Sequence, residues 1–143
     1  MKHRLDRFRR DLDHLAPREM VQKHILMGDC YILDHDARYT LSAKVSSQYS
    51  IRPEQIRVVG SGQLGFSVVD GKRYRPFNPD SDIDVAIVSE DLFDRIWFEV
   101  LRYDAQAADW IEEKRKFRRY LMNGWIRPDA LPKGEVFPCV GSA

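Results

Sequence analysis

The sequence predicts an α+β fold: a small sheet with flanking helices, preceded by a helical extension. Three observations predict it. The first fifty residues repeat apolar side chains at helical spacing, short β-branched runs ending in turn residues follow residue 51, and 143 residues suffice for one core. The division expected is a helical extension over 1–50 and a core over 51–143, packed as a single compact domain.

Leu5, Phe8, Leu12 and Leu15 recur at helical spacing among charges and Pro17 closes the segment, so residues 3–15 read as an amphipathic helix. A second helix is expected from Arg18 to Met27, stopped at Gly28. Asp29 is placed to cap a third that reaches Tyr49 through Tyr31, Tyr39, Leu41 and Val45. After Pro53, Ile56–Val59 is a β-branched run ending in Gly60-Ser61-Gly62, which is strand, then turn. The runs Phe66–Val69 and Lys72–Tyr74 flank Asp70-Gly71, a dipeptide that favours a tight hairpin with positive φ at both central positions. Pro76 and Pro79 mark an extended loop before a strand over 83–88. Ser89 then caps a helix over 90–102 with a broad apolar face, another helix spans 105–121 and ends near Gly124, and a proline-containing tail is irregular. Trp97, Trp110 and Trp125 read as core or interface anchors.

At 43% hydrophobic and 31% charged, the composition is too apolar for disorder and too interrupted by charge for a membrane span. No apolar stretch of signal-peptide length follows the basic opening, so a cytoplasmic location without membrane contact is expected. Cys30 and Cys139 have no zinc spacing and read as reduced thiols, and the four histidines show no metal-ligand spacing. Net charge is only +1, but it is segregated: residues 80–113 hold eleven acids against two bases, followed by five bases in the six residues 114–119. Such segregation suits a site holding cations beside a site for polyanions.

Asp82 and Asp84 are two apart, so on the start of a strand both side chains leave one face while Ile83 and Val85 turn to the core. Two convergent carboxylates repel each other unless a hard cation sits between them, and magnesium is the usual choice where carboxylates share a coordination shell with substrate phosphates. The alternative is a solvated turn, Asp80-Ser81-Asp82, feeding a strand with Asp84 on its outer face. Upstream, Val58-Val59-Gly60-Ser61-Gly62 offers backbone N–H groups and a hydroxyl at a strand end, a type of donor site that receives phosphate. Taken alone, it is also what an ordinary strand-ending turn looks like.

Together, Val58-Val59-Gly60-Ser61 followed by Asp82-Ile83-Asp84-Val85 resembles the signature of the DNA polymerase β-like nucleotidyltransferase superfamily, over residues 56–101. The resemblance implies a small mixed sheet with flanking helices. It implies nucleotide binding by Gly60, Ser61, Gly62 and Ser81, and two magnesium ions held by Asp82 and Asp84 as the catalytic metal ligands. The reaction implied is transfer of a nucleoside monophosphate from an NTP to a hydroxyl acceptor, with pyrophosphate leaving. Members of the superfamily modify RNA and DNA ends, small molecules and proteins, and short bacterial ones resemble parts of toxin-antitoxin or antiviral systems.

The resemblance also calls for a third carboxylate on a later strand. Glu135 is the candidate, whereas Asp109 and Asp129 fall in a helix and a Pro-flanked loop. Twenty residues separate Ser61 from Asp82, and the hairpin around Asp70-Gly71 accounts for that length. Its Lys72, Arg73 and Arg75 suit either a polyanionic acceptor or protection of a strand edge. Lys114, Arg115, Lys116, Arg118 and Arg119 suit either a nucleic-acid contact, with Phe117 and Tyr120 to stack bases, or a solvated helix face with Phe117 on its core side. Two other functions stand beside the enzyme: an inactive nucleotidyltransferase-like module binding nucleotide, RNA or a partner protein, and a basic helical interaction protein in which Asp82-Ile83-Asp84 is incidental.

Overall fold

The helical spacing of Leu5, Phe8 and Leu12 produces α1, Lys2–Leu12, in a computed structural model that describes residues 2–106 and 111–131. Phe8 projects from α1 between two rings, edge-on to His24 at 4.9 Å and to Phe66 at 5.2 Å, arrangements favoured by the aromatic quadrupole. Pro17 opens α2, Pro17–Val21, where its missing N–H costs nothing, and Glu19 accepts a hydrogen bond from the Ala16 N–H at 2.8 Å. The second helix expected over 18–27 is half α-helix only: Gln22–Leu26 widens into a π turn, with the Met27 N–H reaching the Gln22 carbonyl. Lys23 Nζ and His24 Nε2 each lie 2.8 Å from the Asp11 carboxylate, which ties this turn to α1.

The third helix starts at His35 rather than near Asp29: α3 spans His35–Tyr49, and its cap is Asp34, whose Oδ1 accepts from the Ala37 N–H at 2.8 Å. The reason lies in competing hydrogen bonds. The Tyr31 and Ile32 N–H groups donate to the carbonyls of Gln63 and Gly62, holding residues 29–34 out of a helix.

β1, Ile56–Val59, pairs antiparallel with β2, Asp84–Ile87, with Val58 opposite Val85 and Val59 opposite Asp84. The α+β class is as the sequence predicts, and the sheet among the described residues is this single antiparallel pair. Between the strands comes α4, Gly60–Leu64, one turn of helix in place of a plain glycine-rich turn. It ends at Gly65, whose φ of +88 is left-handed and whose missing side chain leaves room for the Tyr31 ring, 2.8 Å from where a Cβ would stand.

The hairpin expected around Asp70-Gly71 is instead a loop of two successive turns, closed by hydrogen bonds from the Lys72 N–H to the Val69 carbonyl and from the Arg75 N–H to the Lys72 carbonyl. Only the second central residue of each turn, Gly71 (φ 79) and Tyr74 (φ 66), is left-handed, and strand-like pairing is confined to a bridge between Phe66 and Pro76. A turn with positive φ at its second central position alone is of the type II kind, which does not match the strand twist that a two-residue hairpin requires.

The chain divides into two compact units, Met1–Val88 and Ser89–Ala143, so the N-terminal helices share a unit with β1 and β2. The first unit buries Met20, Ile56, Val58, Leu64 and Phe66 and one polar side chain, Gln63. The Gln63 amide donates to the carbonyls of Gly28 at 2.9 Å and His24 at 3.2 Å, while its own backbone carbonyl accepts from the Tyr31 N–H and from Arg4.

In the second unit Ser89 Oγ accepts from the Leu92 N–H and opens α5, Glu90–Gln106, followed by α6, Ile111–Leu121. Val100, Phe117, Ala130 and Leu131 form the core, and Trp97 stacks on Phe117 at 6.2 Å. Trp125, expected as an anchor, is 63% exposed, and Trp110 lies outside the described residues. No helix among the described residues is long and apolar enough to cross a membrane.

The tethers in the first unit can be tested singly. Gln63→Leu keeps the volume but leaves the Gly28 and His24 carbonyls without their donor, and is expected to cost about 1–3 kcal/mol in urea unfolding. The Asp11 carboxyl is held below its ordinary value of 3.8, first by the hydrogen bond from Lys23 and then by that from His24, against an opposing effect of desolvation. A depressed carboxyl contributes stability that is present above its unfolded value and lost as pH falls through the folded one. Wild type should therefore melt above Asp11→Asn near neutral pH, and the gap between the two melting temperatures should narrow as pH falls below the ordinary carboxyl value of 3.8.

Candidate functional site

β1 delivers the chain to Gly60 with Ile56 and Val58 buried, and β2 returns it so that Asp84 stands opposite Val59, the residue before Gly60. The Gly-Ser turn and the second aspartate therefore meet at one end of the sheet. The contact is close: a Cβ on Gly60 would lie 2.9 Å from Asp84 Oδ2, and Gly60 has a left-handed φ of +61. Beside it, Ile83 Cγ2 lies 3.7 Å from the Cβ position of Gly62, so both residues of the Ile83-Asp84 pair rest against α4. Glycine is required at 60 on two counts, backbone conformation and the approach of the carboxylate.

The carboxylates are not arranged as the spacing suggests. β2 begins at Asp84, so Asp82 lies before the strand, and both are solvent-exposed. Ile83 and Val85, expected to face the core, are 45% and 38% exposed. Among the described residues no third strand pairs with β2. Burial of a charge therefore gives no reason to place a cation at Asp84. No lysine, arginine or backbone N–H among the described residues bonds to Asp82 or Asp84, whereas Asp11 is held by Lys23 and His24 and Asp129 by Lys116 and Arg127.

Ser61 is half-buried and its hydroxyl has no hydrogen-bond partner among the described residues; Gly62 is buried. The N–H groups of the first turn of α4 have no intrahelical acceptors. Ser81 is differently employed: its Oγ accepts from the Asn78 N–H at 3.1 Å and lies 3.3 Å from Asn78 Oδ1, closing an Asn78–Ser81 turn whose next residue is Asp82.

The Asp84 carboxylate at Gly60, with Asp82 two residues before it, is the kind of oxygen donor that fits magnesium, which is commonly held by one or two carboxylates together with substrate phosphates. Among the described residues no group of three His, Cys, Asp or Glu side chains is placed to hold a metal ion. Glu135 and Asp109 lie outside the described residues. Asp129 is committed to Lys116 at 2.7 Å and Arg127 at 2.9 Å, and these hydrogen bonds, Lys116 first, hold its carboxyl below the ordinary value.

The basic run of α6 is divided. Lys114 pairs with Asp104 and Lys116 with Asp129, Arg119 lies over the Tyr120 ring at 5.4 Å, and Arg115 and Arg118 are exposed. Phe117 is 1% exposed and stacked on Trp97, so it is core and cannot stack on a base. A shallow pocket lined by Arg4, Arg7, Lys23, His24 and Phe66 contains neither Asp82 nor Asp84. Cys30 is a free, half-buried thiol 3.6 Å from the Gly62 carbonyl, and Cys139 lies outside the described residues.

Sequence reasoning passed over Gln63, the buried amide that fixes the far end of α4. The available signal was a polar residue between Gly62 and Leu64 in a segment otherwise apolar to Phe66. Gly60→Ala is expected to destabilise by about 1–2 kcal/mol through the left-handed φ alone and to displace the Asp84 carboxylate as well. In a double-mutant cycle, Asp84→Ala should remove the steric part and leave the conformational part, so the two substitutions together should destabilise by less than their sum in denaturant unfolding. Comparison with protein-family models, with curated proteins and with solved structures finds no match to this chain.

Proposed function

We propose that this chain is a magnesium-dependent nucleotidyltransferase that transfers a nucleoside monophosphate from an NTP to a hydroxyl acceptor. The observation that carries the proposal is the contact of Asp84 with Gly60, which unites the two motifs of the polymerase β-like signature at one end of the β1–β2 pair. Ser61 Oγ and the opening N–H groups of α4 receive the phosphates, and the lack of a side chain at Gly60 lets a phosphate come close to the backbone. Asp82 and Asp84 hold the metal. Magnesium, when bound, neutralises phosphate charge and polarises the phosphorus centre. The acceptor oxygen then bonds to the α-phosphorus as the bond to the bridging oxygen breaks, the hydroxyl proton passes to a base or to water, and pyrophosphate leaves.

One observation favours a second reading. With no third carboxylate near the pair among the described residues, the same site would serve an inactive module that binds nucleotide and does not turn it over.

Binding of the four nucleoside triphosphates, with and without magnesium, separates these readings when followed by a pyrophosphate-release assay with RNA, protein and small-molecule acceptors. Magnesium-dependent binding is expected in the wild type, with at least a roughly tenfold loss in Asp82→Ala/Asp84→Ala, as follows from deleting the metal's protein ligands. Pyrophosphate release that requires an acceptor establishes the enzyme. Binding without release favours the module, and binding unaffected by the double substitution removes the site.

A further inference from the structure

The loop between the two motifs carries Lys72, Arg73 and Arg75, and among the described residues these bases border no strand, since the pairing there is limited to the Phe66–Pro76 bridge. They therefore require another reason. The loop is firmly built at its base: the Phe77 N–H donates to the Gly65 carbonyl, the Ser67 N–H to the Arg75 carbonyl, and the Tyr74 N–H to the Ser67 carbonyl at 2.7 Å. Tyr74 takes a left-handed φ of 66, a conformation that costs free energy in a residue with a Cβ, and its ring packs edge-on to Phe66 at 6.2 Å.

That ring receives Arg9 of α1, whose guanidinium carbon lies 4.3 Å from the ring centroid. A guanidinium stacked on an aromatic face is held in position while its in-plane N–H donors stay free for phosphate oxygens. Arg9 joins two basic elements. α1 carries Lys2, Arg4, Arg7, Arg9 and Arg10 against two acids, and the loop carries three bases against Asp70, which engages only Arg73. Lys72, Arg75, Arg7, Arg9 and Arg10 are exposed, and none forms an ion pair among the described residues. By contrast, two of the five bases on α6 are held in ion pairs.

We infer that Arg9, Tyr74, Lys72 and Arg75 form a surface that binds the phosphodiester backbone of a single-stranded nucleic acid. The loop runs in the chain from α4 to Asp82, so a strand held there lies on the segment that joins the two motifs. The binding itself does not need the catalytic reading. Only the role of the bound strand, as the hydroxyl acceptor, rests on the nucleotidyltransferase proposal.

The test is fluorescence anisotropy of end-labelled twelve-nucleotide RNA and DNA single strands, at two salt concentrations, without magnesium or nucleotide. The proteins are the full chain, Lys72→Glu/Arg75→Glu, Arg9→Ala and, as the comparison, Arg115→Glu/Arg118→Glu, each checked for fold by circular dichroism. The loop reversal is expected to weaken binding by roughly tenfold or more and to lower the salt slope by about 0.7 for each phosphate that is no longer neutralised. Arg9→Ala should weaken binding less, and the α6 reversal should leave it near wild type. Preference for RNA or DNA identifies the strand. Absence of binding by wild type, or equal weakening in the α6 variant, overturns the assignment. Because Asp82→Ala/Asp84→Ala should retain strand binding, failure of this surface and failure of the metal site are read separately.

Discussion

The buried amide of Gln63 is the constraint on which the first unit depends. A side chain with four hydrogen-bonding positions is costly inside an apolar core unless it finds partners. Here its N–H groups reach the carbonyls of His24 and Gly28, while its backbone carbonyl accepts from Tyr31 and Arg4. One residue of α4 thus joins the π turn, the connection that follows it, and α1. Because α4 is a single turn, fixing Gln63 also fixes Gly60 and Ser61 three and two residues earlier. The stability of the first unit and the geometry of its candidate site therefore share one origin.

At the other end of α4 the arrangement is electrostatic. Asp84 is brought against Gly60 by the antiparallel register of β1 and β2, and it arrives without a cationic partner among the described residues. Elsewhere in the chain the carboxylates Asp11, Asp70, Asp104 and Asp129 are matched with lysine, arginine or histidine. Under the proposed function Asp84, with Asp82 two residues before it, would hold the metal and the substrate would supply the remaining oxygen ligands.

Much of the fold was legible because its elements are set by local periodicity and punctuation. β1, the Gly60 turn, β2 and the helix opening at Ser89 depend on β-branched runs, glycine and a serine cap, all visible in a few residues. What was not legible depends on distant partners. Asp29 has the chemistry of a cap, but the backbone that follows donates to α4, so the helix waits for Asp34. Asp70-Gly71 has hairpin chemistry, but only Gly71 is left-handed and the turn fails to propagate a ladder. In the site, residue spacing placed Asp84 on a strand, but its approach to Gly60 follows from the β1–β2 register, and alternation could not reveal that the strand starts too late to include Asp82. Phe117 was readable as core from its helix position, while the pairing of Lys114 and Lys116 depends on acids ten and thirteen residues away.

The central claim is that α4 and the two aspartates act as one ligand-binding unit. It is tested most directly by following the backbone amide resonances of uniformly ¹⁵N-labelled protein as magnesium is added in the presence of each nucleoside triphosphate. Gly60, Ser61, Gly62, Asp82 and Asp84 are expected to shift together, along one saturation curve, and only when both ligands are present. Shifts confined to other residues, or a response of Asp82 and Asp84 to magnesium that leaves Gly60 and Ser61 unmoved with nucleotide present, would contradict it.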